Sequence, residues 1–216
     1  MNYIFTKNSY PLRVIFAYLL AFAVIIYGLS KADAIKNTQA MQQSIAHEVI
    51  RLHVLANSDS KQDQQLKLMV KNAIVAYMQD ELCDVTSIAE ARKQILSLSD
   101  TINQIAAETI VANGYSYSVT TSLGTSYFPE KTYGDLTFPA GKYEALQVRI
   151  GKAQGHNWWC VLFPTLCFVD ETSAVVPEDS KEILKESLTV EEYNSLLMDA
   201  DTDITYRFAF LDWLTK

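Results

Sequence analysis

Val49-Ile50-Arg51-Leu52-His53-Val54-Leu55-Ala56-Asn57-Ser58-Asp59-Ser60 decides how this chain folds. Val49 to Leu55 is dense in β-branched residues and sets Arg51 and His53 on alternating positions, the pattern of a strand with one face buried. Asn57 to Ser60 then gathers side chains suited to turning the chain and capping a helix. Ser60 with Asp63 three residues later has the form of a capping box. The spacing predicts a helix to about Leu82, with Leu66, Val70, Ala73 or Ile74, and Tyr77 along one face.

Ser87 and Glu90 suggest a second capped start. Ile88, Ala91, Ile95, Leu98, Ile102 and Ile105 follow at spacings of three and four, one stripe along a long helix closed by Asn113-Gly114. Ser97, Ser99 and Asp100 mark a place where that helix can break. Beyond Gly114 the texture turns to strand. Tyr115, Tyr117, Val119 and Thr121 alternate with small polar residues, and Leu146, Val148 and Ile150 alternate with Gln147 and Arg149. Residues 124–139 hold short aromatic pieces between turn residues. Pro177 to Leu188 reads as a charged, exposed segment, Thr189 with Glu192 as the cap of a short helix to Met198, and Ile204 to Phe210 as a closing strand. The expected fold is α+β: an N-terminal apolar helix, then a strand, two long helices and a mostly antiparallel sheet.

Gly155 to Asp170 holds two of the three tryptophans and two of the three cysteines, with Pro164 between the cysteines. At under 20 apolar residues it is too short to span a bilayer. It reads as two core strands around a tight turn at Phe163-Pro164-Thr165-Leu166, with part of it available to another protein because Trp is enriched at binding hot spots. Cys160 and Cys167 would face each other across such a hairpin, at a separation a disulfide bridges with modest adjustment.

Whether they pair depends on the compartment, which the N-terminus addresses. Leu12 to Leu29 is apolar except for Arg13, follows Lys7, and precedes Ala32-Asp33-Ala34, an A-x-A-like cleavage site. Residues 1–34 therefore read as a signal peptide or a retained membrane anchor, 35–46 as a polar connector, and 47–216 as one domain. In either case the basic end stays in the cytosol and the rest lies outside, where disulfides form. Cys83 is then left over and is expected to be buried and inert. Residues 1–31 carry three basic side chains and no acid; the remainder has 15 basic against 25 acidic residues, a charge of −10. Such a body repels phosphate backbones, which argues against a nucleic-acid partner.

Chemistry is sparse. His156 with Cys160, approached by His53, is the one Cys–His arrangement, and it defines the alternative reading of an exported hydrolase. Cys160 sits in an apolar run, where a thiolate is disfavoured. His53, His156, Cys160, Asp59 and Asp63 show neither His-x-His nor C-x-x-C spacing, so no metal is expected. Asp59 and Asp63 fit a helix start, where acids are favoured electrostatically, better than a catalytic carboxylate pair. No cofactor motif is present.

Ile50 to Ser60, followed by Asp63-Gln64, Leu66-Lys67 and Val70-Lys71, resembles the signature of the stage II sporulation protein R family. Asn157-Trp158-Trp159-Cys160-Val161-Leu162-Phe163-Pro164 with Leu166-Cys167-Phe168 resembles that family's second block, Thr165 standing where a second proline is expected. Gly141 to Leu146, and Arg207-Phe208 with Asp212-Trp213-Leu214, agree more loosely. The resemblance implies a non-enzymatic signalling protein, exported from the forespore into the space between forespore and mother cell. Its implied partner is a membrane-embedded aspartic protease of the mother-cell side, which processes the sigma-E precursor. The residues the fold has least reason to want, and hence the expected partner contacts, are His53, Asn57, Asp59, His156, Asn157 and Trp158.

Overall fold

The computed structural model describes residues 10–167 and 176–197. The chain divides into two units, one up to Ser44 and one from Ile45 onward. The first unit is helical. The helix α1 (Tyr10–His47) is continuous through the polar residues that follow the apolar run. From Val14 it is long and apolar enough to cross a membrane by length and composition, with a mean hydropathy of 2.0 in its most apolar window and none of that window buried. A signal sequence has the same character.

The second unit contains β1 (Ile50–Leu55), α2 (Lys61–Leu82), α3 (Ile88–Ser97), α4 (Ser99–Ala112), β2 (Val119–Phe128), β3 (Lys131–Tyr133), β4 (Leu136–Phe138), β5 (Gly141–Ile150), β6 (Asn157–Phe163), α5 (Glu178–Ser187) and α6 (Val190–Leu196). Four strands form one sheet in the order β2-β5-β1-β6, and β3 and β4 form a separate hairpin. The β1–β5 pair is parallel, while β1–β6 and β2–β5 are antiparallel. The fold is α+β with a mostly antiparallel sheet.

Side chains alternate between the two faces of a strand, and the register shows what each face does. Leu52 lies opposite Leu146 and Cys160, and Val54 opposite Val148 and Trp158. These residues pack with Leu66, Val70, Ile74 and Met78 of α2, Ala91 and Ile95 of α3, and Ile102, Ala106 and Ile110 of α4. Ile74, and not Ala73, continues the buried stripe of α2; Tyr77 stays half-buried beside it. The second helix is broken. Leu98, at φ −96° and ψ 4°, separates α3 from α4, and the Ser97 hydroxyl donates to the Gln94 carbonyl at 2.8 Å. Beyond the break the stripe continues through Ile102, Ala106 and Ile110, which are buried, while Ile105 is only partly so. Gly114 ends α4 at φ +82°, with the Tyr115 amide reaching back to the Ile110 carbonyl.

The opposite face corrects the expectation that β1 buries one side only. Arg51 is 0% exposed. The hairpin β3–β4 lies over it, and its guanidinium carbon is 4.2 Å from the ring centroid of Phe128, 4.7 Å from Tyr143, 5.7 Å from Phe138 and 5.8 Å from Tyr133. Its Nη2 donates to the Tyr133 hydroxyl at 2.8 Å, and that hydroxyl donates to the Trp159 carbonyl at 3.0 Å. Burial raises the Tyr133 pKa, with the neighbouring guanidinium working against it. The short aromatic pieces that read as turn-rich chain are the lid of a second, smaller core.

Three further expectations change. Pro177 to Leu188 is not simply exposed: it contains α5, whose Ser180 and Leu184 are buried and whose Lys181 pairs with Asp135, while its other charged residues are exposed. Cys83 is exposed, because it caps α2 one residue beyond the buried Leu82 and on its solvent side. Among the described residues the tryptophan–cysteine stretch supplies one strand, β6, and a turn, not two paired strands. Cys160 and Cys167 are bridged across that turn with Cα atoms 5.3 Å apart. The segment 204–210, read as a closing strand, lies outside the described residues.

Candidate functional site

The polar residues after β1 are gathered into one corner where α2 begins and the β5–β6 loop arrives. The Ser60 hydroxyl accepts from the Asp63 amide at 3.2 Å and caps α2. Asp63 is only 5% exposed. Its Oδ2 accepts from Asn57 Nδ2 at 2.8 Å and from the Ser58 hydroxyl at 2.5 Å. Asn57 is used at both ends of its amide, since Oδ1 accepts from the Lys152 backbone N–H at 3.0 Å. The Gly155 amide donates to the Ala56 carbonyl at 3.0 Å. Lys67 Nζ donates to Gln64 Oε1 at 2.7 Å and to the His156 carbonyl at 3.2 Å. Asp59 Oδ1 accepts from the His156 backbone N–H at 2.5 Å and lies 2.6 Å from its Nδ1.

These contacts lock the loop 151–156 against the start of α2, and two glycines make the fit possible. Gly151 has φ +55°, and a Cβ there would meet the Asn57 side chain. A Cβ on Gly155 would run into the Ser58 carbonyl and the Ala56 side chain. Backbone cannot swing aside as a long side chain can, so Gly155→Ala should cost on the order of 1–2 kcal/mol, within the range for overpacking. Denaturant midpoints compared with a neighbouring exposed change such as Gln154→Ala check this, and equal midpoints would contradict the packing.

Desolvation pushes the Asp63 pKa up, but hydrogen bonds from Ser58, Asn57, Tyr117 and Ser60 outweigh it and hold the carboxyl below its ordinary range. Asp59 is also lowered, first by the His156 backbone N–H and then by the His156 side chain, although that pair is exposed and worth little to stability. A carboxyl whose pKa is depressed by folding contributes stability above its unfolded pKa of about 4 and loses it as pH falls through the folded value. Unfolding measured from pH 7 down to pH 2 should therefore show stability falling with acid, with a shallower fall in Asp63→Asn. Parallel profiles would show that Asp63 is not the responsible group.

The six expected contact residues separate into three places. Asn57, Asp59 and His156 meet in this corner and are largely spent on holding the chain together. Trp158 lies on the helix-facing side, with Lys71 Nζ 4.7 Å from its ring centroid. His53 and Asn157 stand on the other face of the sheet. There the His53 ring is stacked on Trp159 at 6.1 Å, its Nδ1 is 3.2 Å from the Ser126 hydroxyl, and Lys131 Nζ is 5.6 Å from the Trp159 ring centroid. Burial lowers the His53 pKa, Asn157 opposing and Arg149 adding to the effect. Trp159 shares this face with His53, and strand alternation alone is enough to put it there. It faces His53 in register, whereas Trp158 faces Val54.

No Cys–His centre is assembled. Cys160 is 2% exposed, bonded to Cys167 and on the helix-facing side, His53 is on the opposite face, and His156 is turned to Asp59 on the exterior. Among the described residues no three His, Cys, Asp or Glu side chains come together to hold a metal ion.

The chain matches the family model described as Stage II sporulation protein R over residues 46–173. It is 40% identical over 173 residues to the Stage II sporulation protein R of Bacillus subtilis (strain 168), an alignment covering 79% of this chain and 77% of that protein. No solved structure matches it. The matched region runs from the last turn of α1 to just past the Cys160–Cys167 bridge, so both blocks that define the corner and the sheet fall inside it. The chain belongs to the stage II sporulation protein R family.

Proposed function

We propose that this chain is an exported signalling protein of sporulation that activates a membrane-embedded aspartic protease, leading to processing of the sigma-E precursor. Membership of the family carries the reading. Three features of the chain support it. The apolar N-terminal helix fits a signal or anchor segment, the disulfide suits an oxidising compartment, and Cys160 is spent in that bridge with neither His53 nor His156 set against it. Shape, not reactivity, would then carry the message from the forespore across the intermembrane space. A ligand activates only by binding the active state of its target more tightly than the inactive one, so the domain would favour a particular arrangement of the protease.

Co-expression of the protease, the sigma-E precursor and this chain tests the reading. The full chain should drive processing, and a form lacking residues 1–34, retained in the cytosol, should not. Processing by the cytosolic form, or turnover of a substrate by the purified chain alone, would overturn it.

A further inference from the structure

We propose that the open half of the sheet face carrying His53, Asn157 and Trp159, flanked by Lys131 and Arg149, is a docking surface for an extended acidic segment of the partner protein; this deepens the signalling reading and rests on it. The charge pattern argues first. Strand alternation and register turn residues of β1, β2, β5 and β6 to this face, and not one of them is Asp or Glu. This holds in a chain whose net charge is −7. An acid-free face on an acidic protein does not follow from composition.

Neither cation on it is in an ion pair, although Lys131 lies over the Trp159 ring. Arg149 is exposed and Lys131 half-buried. The ion pairs among the described residues join Arg92 to Glu144, His156 to Asp59, Lys181 to Asp135 and Lys185 to Glu178, and leave both of these out. One polar group between them is also unfinished. Trp159 Nε1 is a buried donor without a hydrogen-bond partner, while the His53 and Asn157 side chains engage each other. A buried polar atom left unpaired is costly, and a polypeptide laid along this face would bring carbonyls, amides and carboxylates to supply what is missing. Trp159 adds a large apolar surface of the kind that anchors interfaces. The half of the same face around Arg51 is closed by the β3–β4 hairpin, so among the described residues the uncovered surface begins at His53 and Trp159 and runs toward Leu55 and Arg149.

The test uses the exported chain and the double variant Lys131→Glu/Arg149→Glu, in which exposed or half-exposed cations are reversed and the core is untouched. Lys93→Glu, an exposed charge reversal on α3 in the helix layer across the sheet, is the control. In the processing assay the double variant should lose at least tenfold, because like-charge contacts act against association, while Lys93→Glu stays near wild type. Titration with a synthetic peptide of alternating Asp and Thr should shift the amide resonances of His53, Asn157 and Trp159 in the wild type and not in the double variant. If the double variant is exported, melts like wild type and still drives full processing, the docking face is wrong and the signalling reading stands. If wild type itself drives no processing, the signalling reading fails and the peptide titration alone decides the face. Shifts produced by vesicles of phosphatidylglycerol but not by the peptide would assign the surface to a membrane and overturn the proposal.

Discussion

Arg51→Ala should lower the stability of the domain by about 3–5 kcal/mol, the range for emptying a large, fully buried site, whereas Arg51→Met should remain within about 1 kcal/mol of wild type. The guanidinium is held by four aromatic rings and one tyrosine hydroxyl. Its Nε and Nη1 have no hydrogen-bond partner. Contacts to aromatic faces contribute up to about 2 kcal/mol each when desolvated, while removing a charge from water costs several. These two effects largely cancel, which leaves volume as the main contribution. Methionine keeps most of the volume and removes the two unsatisfied donors; alanine leaves a cavity beneath Phe128 and Tyr143. Chemical denaturation of the three proteins separates the possibilities. If Arg51→Met is as unstable as Arg51→Ala, the charge itself holds the second core and the cancellation fails.

Arg51 also shows where reading the sequence stops. Alternation along Ile50 to Leu55 correctly divides the strand into two faces, because a period of two follows from strand geometry alone. It does not say what covers the second face. The cover comes from Phe128, Tyr133, Phe138 and Tyr143, scattered over residues 128–143 between turn signals, where no periodicity announces a shared destination. Capping, by contrast, was legible residue by residue. Ser60, Ser87 and Thr189 each accept from the amide three positions on, as their local spacing implies, since a cap needs only its own first turn. The corner built from Asn57, Asp59 and His156 lies between these extremes. Its residue types stand out in the sequence, yet their use is intramolecular. Residues almost 100 positions apart meet there, and only the parallel pairing of β1 with β5 brings the following loop back to the end of β1.

Removing the bridge with Cys160→Ala/Cys167→Ala should cost about 2–3 kcal/mol, the chain-entropy expectation for so short a closed loop. The sequence separation is seven, and the bridge ties β6, the edge strand beside β1, to the turn that follows it. Leu162 and Phe163 inside that loop are at most 2% exposed and pack in the main core, so loosening it also relaxes the packing of β6. A reductant should bring wild type down toward the double variant and leave the double variant unmoved. Cys83→Ser should change little, because its thiol is exposed and unbonded and surface substitutions generally stay within about 0.5 kcal/mol. If wild type is equally stable with and without reductant, the bridge is not a structural element and the chain has no physical need of an oxidising compartment. If instead the cost appears as expected, a copy folded in a reducing cytosol lacks the brace that its exported counterpart carries. The compartment then contributes to the fold itself, because where disulfides form β6 is held more firmly than where they do not.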